Sequence, residues 1–147
     1  DRLANLSYAI EHLNRKVGEV KIKSGIYRSK AWGYSSENDF YNQCVACKTE
    51  LLPEQLLENI LQIESMRGRE RKNEGYEDRI LDIDILLYGH AVIQQPDLTI
   101  PHPKLPWRKF ALAPLSEIAP YKMHPVLRKT IIELFERCPD NSELTQL

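Results

Sequence analysis

The sequence predicts an α+β domain, with helices packed on a mainly antiparallel sheet. Residues 2–16 and the run after Pro53 carry apolar side chains at helical spacing, while residues 20–28, 40–48 and 80–87 read as strands. The strands come as hairpin-like runs with helices between them. No internal repeat, low-complexity segment or linker divides the chain, so residues 1–147 are expected to form a single domain.

Leu3, Leu6, Ile10, Leu13 and Val17 define the apolar face of the first helix, which Gly18 ends. Val20, Ile22 and Ile26 alternate with polar residues in a strand reaching about Arg28. Residues 29–39 are polar yet hold Trp32 and Tyr34, and a loop of that length in a compact domain is usually functional. Phe40–Lys48 reads as the next strand. Pro53 suits the first turn of a helix whose buried face is Leu56, Leu57, Ile60, Leu61 and Ile63. Beyond Glu64 the apolar pattern fades, and residues 67–75 are expected as a charged loop. Ile80–Leu87 is the most apolar strand, followed by a turn at Tyr88-Gly89-His90. Pro96, Pro101, Pro103 and Pro106 then keep the chain extended or looping. Helices over Phe110–Ile118 and Val126–Cys138, and a frayed end from Asp140, complete the expectation.

Charge and composition narrow the function. Lys+Arg number 20 against 21 Asp+Glu, which gives no reason to expect a nucleic-acid or membrane footprint. No run approaches the ~18 apolar residues of a membrane span. Three cysteines do not make a disulfide framework, so a reducing cytosol is the expected compartment. Cys44-Val45-Ala46-Cys47 is formally C-x-x-C, but residues three apart on a strand face opposite sides, which favours core packing over redox or zinc chemistry. Glycines number 6 and form no phosphate-cradling loop, so any grip on a nucleotide falls to side chains.

The sharpest signal is Arg79-Ile80-Leu81-Asp82-Ile83-Asp84-Ile85-Leu86-Leu87. Residues i and i+2 of a strand share a face roughly 6.5–7 Å apart, so Asp82 and Asp84 point the same way. Two carboxylates in a buried strand repel each other and are costly to desolvate. A divalent cation relieves both, and hard oxygen ligands suit magnesium. The other reading is a salt-bridged pair at a sheet edge. Upstream lie Arg67, Arg69, Arg71, Lys72 and Arg79, with Glu70, Glu74, Glu77 and Asp78 among them. They form either a solvated mixed-sign loop or a clamp that neutralises a triphosphate beside the carboxylates. His102 and Arg108 can extend such a clamp.

These residues resemble a known family. Arg69-Glu70-Arg71-Lys72, Arg79 to Leu86, Leu98-Thr99-Ile100-Pro101-His102-Pro103, Phe110-Ala111-Leu112-Ala113-Pro114-Leu115 and Glu117-Ile118-Ala119-Pro120 are similar to 6-hydroxymethyl-7,8-dihydropterin pyrophosphokinases. Tyr27-Arg28-Ser29 and Phe40-Tyr41-Asn42 continue the match, which covers nearly the whole chain in order. The resemblance implies a ferredoxin-like α+β fold and transfer of the pyrophosphoryl group of ATP to the pterin hydroxymethyl oxygen, releasing AMP, in folate biosynthesis. It implies that Asp82 and Asp84 hold two magnesium ions. Arg69, Arg71, Lys72 and Arg79 become the phosphate clamp, assisted by His102 and Arg108, with Arg69, Arg71 and Arg79 serving catalysis. Glu64, Ile85 and Thr99 become nucleotide-side contacts. Phe40 and Phe110 become the pair that sandwiches the pterin, Asn42 the amide that reads its edge, and Ser29, Trp32 and Tyr76 further parts of that pocket. The implied partners are the two small-molecule substrates, with a cytoplasmic monomer and neither nucleic acid nor membrane expected.

The chain departs from the family pattern in three places. Tyr76-Glu77-Asp78-Arg79 stands where Trp-Gly-Pro-Arg is common, and Lys30 stands where proline is common. The family also opens with a strand and a Gly-Ser-Asn-Leu-Gly turn before its first helix, so such a strand and turn are expected ahead of Asp1. Two other readings stay open. One is a ferredoxin-like nucleic-acid-binding module, whose basic loop meets phosphates while Phe40 or Trp32 stacks on bases. The other is a structural protein with the aspartates merely salt-bridged.

Overall fold

The computed structural model describes residues 1–30, 39–71 and 81–147, the side chains of residues 70 and 71 excepted. In chain order its elements are α1 (Arg2–Lys16), β1 (Gly18–Lys23), β2 (Tyr27–Ser29), β3 (Phe40–Asn42), β4 (Val45–Thr49), α2 (Pro53–Arg71), β5 (Ile93–Gln95), β6 (Leu98–Ile100), α3 (Lys109–Ile118), α4 (Ile131–Glu136) and β7 (Leu144–Gln146). The class is α+β, as expected. The described strands pair as β1 with β4, β3-β2-β7, and β5 with β6. The chain divides into two compact units, one of Asp1–Lys21 with Cys47–Ile85, the other of Ile22–Ala46 with Leu86–Leu147.

In the first unit α1 packs on α2. Asp1 caps α1, its carboxylate accepting the Leu3 and Ala4 N–H groups at 2.9 and 3.4 Å. The buried stripe is Ala9, Leu13 and Val17, whereas Leu3 is exposed. Gly18 follows because a Cβ there would come within 2.0 Å of the Lys48 carbonyl oxygen. On α2 the buried positions are Leu56, Ile60, Ile63 and Arg67, while Leu61 is exposed. The helix thus runs well past Glu64, where the sequence pattern fades. The reason is Arg67, which takes the next position of the apolar stripe. Its Nε donates to Asn5 Oδ1 at 2.9 Å, and its guanidinium lies 4.8 Å from the centre of the Tyr8 ring. A long stem and a stacked, hydrogen-bonded head let a cation do what a leucine does elsewhere on that face.

In the second unit the expected strand over residues 20–28 is broken at Ser24-Gly25-Ile26, and that over residues 40–48 at Gln43-Cys44. The breaks bond to each other. Ser24 N–H donates to the Cys44 carbonyl at 2.8 Å, Cys44 N–H to Ser24 Oγ at 2.9 Å, and Gln43 Nε2 to the Ser24 carbonyl at 2.8 Å. Beyond them β2 is central in its sheet, with Tyr27, Arg28 and Ser29 opposite Asn42, Tyr41 and Phe40 of β3 and opposite Gln146, Thr145 and Leu144 of β7. The expected fraying from Asp140 is therefore incorrect. Asp140 Oδ2 accepts the Lys109 N–H at 3.1 Å at the start of α3, and the tail then closes the sheet. The prolines between residues 96 and 106 also conceal a hairpin, β5 with β6.

Leu105, Leu112, Leu115, Ile131, Leu134 and Cys44 form the core of this unit. The last helix starts later than its apolar pattern indicates, at Ile131. Thr130 and Glu133 form a reciprocal capping box there, and Arg128 just before it has φ 59°. His124 holds the intervening turn. It is buried, its Nδ1 accepting the Val126 and Leu127 N–H groups at 3.2 and 3.0 Å, and burial lowers its pKa below 6.5. A histidine kept neutral in the fold contributes stability that is present above its unfolded pKa and lost as pH falls through the folded one. Thermal unfolding is therefore expected to occur at progressively lower temperature as pH drops below 6.5. His124→Asn, which keeps an acceptor but does not titrate, should flatten that dependence. An equal slope in both proteins would assign it to other groups.

Candidate active site

The first unit carries Glu64, Arg69, Asp82, Asp84 and Ile85. Residues 81–88 belong to no strand, contrary to expectation, yet burial still alternates: Leu81 is buried, Asp82 and Asp84 are exposed, and Ile83 and Ile85 are half-buried. The two carboxylates thus share a side as anticipated, but on the surface and not in a buried strand. Water already solvates them there, so the burial cost inferred from their apolar neighbours does not arise. In place of a strand partner, Ile83 N–H donates to Glu64 Oε2 at 2.7 Å. Glu64 is an interior residue of α2, not its end, and it braces the backbone between the aspartates. Arg69 is likewise on α2, exposed, its Nη1 donating to Ser65 Oγ at 2.8 Å. Arg67, grouped by sequence with the phosphate cations, is a packing residue.

A magnesium ion suits this pair. It takes oxygen ligands, keeps several waters, and is usually held by one or two carboxylates together with substrate phosphates. Two exposed carboxylates on one side of a braced segment meet that need.

The second unit carries the aromatic face. On β2 and β3, Tyr27 lies opposite Asn42 and Ser29 opposite Phe40, and residues two apart share a face, so these four belong together. Phe40 is 60% exposed. Asn42 Nδ2 is buried without a hydrogen-bond partner among the described residues, an arrangement that native proteins rarely leave without purpose. Asp39, next in the chain, is 2% exposed, with Oδ2 3.8 Å from Arg28 Nε. Phe110 is half-buried in the first turn of α3, with the Arg108 guanidinium 5.4 Å from its ring centre. Pro114 lacks the N–H that would otherwise bond the Phe110 carbonyl. Thr99 pairs with Gln94 in the β5–β6 hairpin. His102 N–H donates to the Leu86 carbonyl at 3.0 Å, and its Nδ1 accepts the Lys104 N–H at 3.1 Å. Trp32, Lys72, Tyr76, Arg79 and the side chain of Arg71 lie outside the described residues.

Sequence reasoning missed two contacts. One is the Glu64 brace. The other is Glu117, whose carboxylate accepts the Tyr27 hydroxyl at 2.8 Å and the Gly25 N–H at 3.0 Å. Both join residues far apart in the chain, a signal that periodicity does not carry.

The first unit thus presents two exposed carboxylates, and the second an exposed phenylalanine on the strand face of a buried amide. A model of the 7,8-dihydro-6-hydroxymethylpterin-pyrophosphokinase family matches residues 1–120. A 2-amino-4-hydroxy-6-hydroxymethyldihydropteridine pyrophosphokinase of Synechocystis is 43% identical over 136 residues, covering 92% of this chain and 69% of that protein. One of Porphyromonas gingivalis is 41% identical over 128 residues, covering 85% and 86%. The folic acid synthesis protein FOL1 of Dictyostelium discoideum is 34% identical over 145 residues, covering 98% of this chain and 22% of that protein. The chain belongs to the 7,8-dihydro-6-hydroxymethylpterin-pyrophosphokinase family.

The Glu64 brace is testable by stability. Glu64→Ala removes a charge-assisted acceptor and should cost about 1.5–3 kcal/mol in urea unfolding, while Glu64→Gln, which keeps an acceptor, should cost less. Equal losses would place the contribution in the side-chain stem.

Proposed function

We propose that the chain moves the pyrophosphoryl group of ATP to the hydroxymethyl oxygen of 6-hydroxymethyl-7,8-dihydropterin through the residues assigned below. The observation that carries this reading is the family match over residues 1–120, a span that holds both the carboxylates and the aromatic face. It selects the pyrophosphokinase reading over a nucleic-acid-binding module or a structural role. In the reaction the pterin oxygen bonds to the β-phosphorus as its hydroxyl proton is released to solvent, the bond from that phosphorus to the α,β-bridging oxygen breaks, and AMP leaves with the bridging oxygen.

Asp82 and Asp84 would hold two magnesium ions, which when bound neutralise phosphate charge and orient the phosphates. Glu64 keeps both carboxylates on the exposed side by fixing the amide between them. Arg69, Arg71, Lys72 and Arg79, with His102 and Arg108, place cations on the triphosphate, where charge-assisted bonds offset its repulsion of the incoming alcohol. Thr99 and Ile85 contribute on the nucleotide side. Phe40 and Phe110 offer ring faces to the pterin, and Asn42 supplies its unmatched N–H to the edge of the heterocycle. Ser29 belongs to the same face, and Trp32 and Tyr76 are assigned to the pterin by resemblance.

Asp82→Asn and Asp84→Asn should each lower turnover by more than about 100-fold, the upper end for loss of a group that merely supports a metal ligand. Their unfolding free energies should stay within about 0.5 kcal/mol of the parent, because the side chains are exposed. A magnesium titration of ATP binding should show weakened coupling in both variants. Near-normal turnover in either would refute the assignment.

Phe40→Ala and Phe110→Ala should weaken pterin binding by about 1–3 kcal/mol each, the worth of a stacking face, and leave ATP binding unchanged. Calorimetric titration with each substrate separately decides this. Comparable losses for both substrates would make the rings part of the core.

A further inference from the structure

Glu117 sits near the end of α3 opposite to Phe110, about 10 Å along the helix at ~1.5 Å per residue. Its Oε1 accepts the Tyr27 hydroxyl at 2.8 Å and its Oε2 accepts the Gly25 N–H at 3.0 Å. Tyr27 is the cross-strand partner of Asn42, on the face that also holds Ser29 and Phe40. Packing is close at this point, since a Cβ on Gly25 would come within 2.8 Å of the Gln146 amide. Burial, then the bond to Glu117 and its charge, push the Tyr27 hydroxyl up to about 12, so it remains a donor at any working pH.

One helix therefore carries Phe110 at its start and, near its end, a carboxylate tied to the strand rung that holds Asn42. From this we propose that Glu117, acting through Tyr27 and Gly25, is a positioning residue for the pterin: it sets the spacing between the α3 ring face and the β2–β3 face. This rests on the reading above that Phe40, Asn42 and Phe110 take the pterin. Glu117 touches no substrate. A planar ligand held between an aromatic face on a helix and an amide on a strand is sensitive to the separation of the two, whereas a nucleotide held by cations elsewhere is not.

The test uses the full chain and four variants: Glu117→Ala, Tyr27→Phe, Glu117→Gln and, as reference, Phe110→Ala. Dissociation constants are measured for the α,β-methylene analogue of ATP alone, and for 6-hydroxymethyl-7,8-dihydropterin with that analogue bound. Glu117→Ala and Tyr27→Phe should bind the pterin about three- to ten-fold more weakly, the effect of one or two hydrogen bonds, with nucleotide affinity unchanged. Glu117→Gln, whose amide oxygen still accepts from Tyr27, should recover most of the loss. Tyr27→Phe keeps the ring and its packing, so it decides the matter even where Glu117→Ala folds poorly. Unchanged pterin affinity in these variants, with Phe110→Ala weakened, overturns the positioning role and leaves the pterin reading standing. Unchanged pterin affinity in Phe110→Ala overturns that reading and the proposal together. Parallel losses for both ligands indicate a general loosening and also overturn the proposal.

Discussion

The hydrogen bonds that join Ser24 to Gln43 and Cys44 govern how the strands of the second unit are partnered. A strand broken at one residue leaves backbone groups that must find partners, and a buried group left unpaired costs about 1–3 kcal/mol. Here each break supplies the partners of the other, so both strands interrupt at the same level and neither does so alone. β1 remains with β4, while β2 turns to β3 on one side and to β7 on the other. The register this fixes matters, because a slip of one residue between β2 and β3 would move Asn42 and Phe40 to the opposite face. Buried Ser24, which donates and accepts through both backbone and hydroxyl, is what makes the change of partner tolerable.

What the sequence disclosed and what it concealed divide along one physical line. Local, periodic features were legible: α1 lies at residues 2–16, α3 within one residue of its expected start, and the turn at Gly89 where it was anticipated. The alternation of Asp82 and Asp84 with apolar neighbours was legible too, because side-chain period survives even where no strand forms. Features set by distant partners were not. Leu144–Gln146 is three residues with no pattern of its own, and it is a strand only because β2 offers an edge. The last turns of α2 read as a charged loop because Arg67 counts as polar, whereas Asn5 and Tyr8 supply the groups that let it pack. The burial of the aspartates was overestimated for the same reason. Their flanking residues are apolar, but whether both faces of a segment are covered is decided by the rest of the chain.

The second unit holds two buried polar atoms that call for a partner. Asn42 Nδ2 and Asp39 Oδ1 are buried with no hydrogen-bond partner among the described residues. The buried amide and an exposed phenylalanine belong to the same strand face. In the proposed assignment a pterin, with a flat body and an edge of hydrogen-bonding groups, would meet both at once. In that reading the ligand would supply the missing bond, which would make it a source of selectivity. An aromatic compound without the matching acceptor would bury the amide as poorly as no ligand does.

The carboxylate segment follows a different logic, set by charge. An extended chain normally pins its amides with a neighbouring strand, which is neutral. Here the amide between Asp82 and Asp84 is pinned by the Glu64 carboxylate, which brings a third negative group to within one residue of each aspartate. Such an arrangement gains a short charge-assisted bond of 2.7 Å and accepts mutual repulsion among acids that remain largely in water. The brace fixes the backbone between the two exposed aspartates. A hydrophobic or strand-paired anchor would fix the backbone equally well, but it would add nothing to the negative potential around these aspartates.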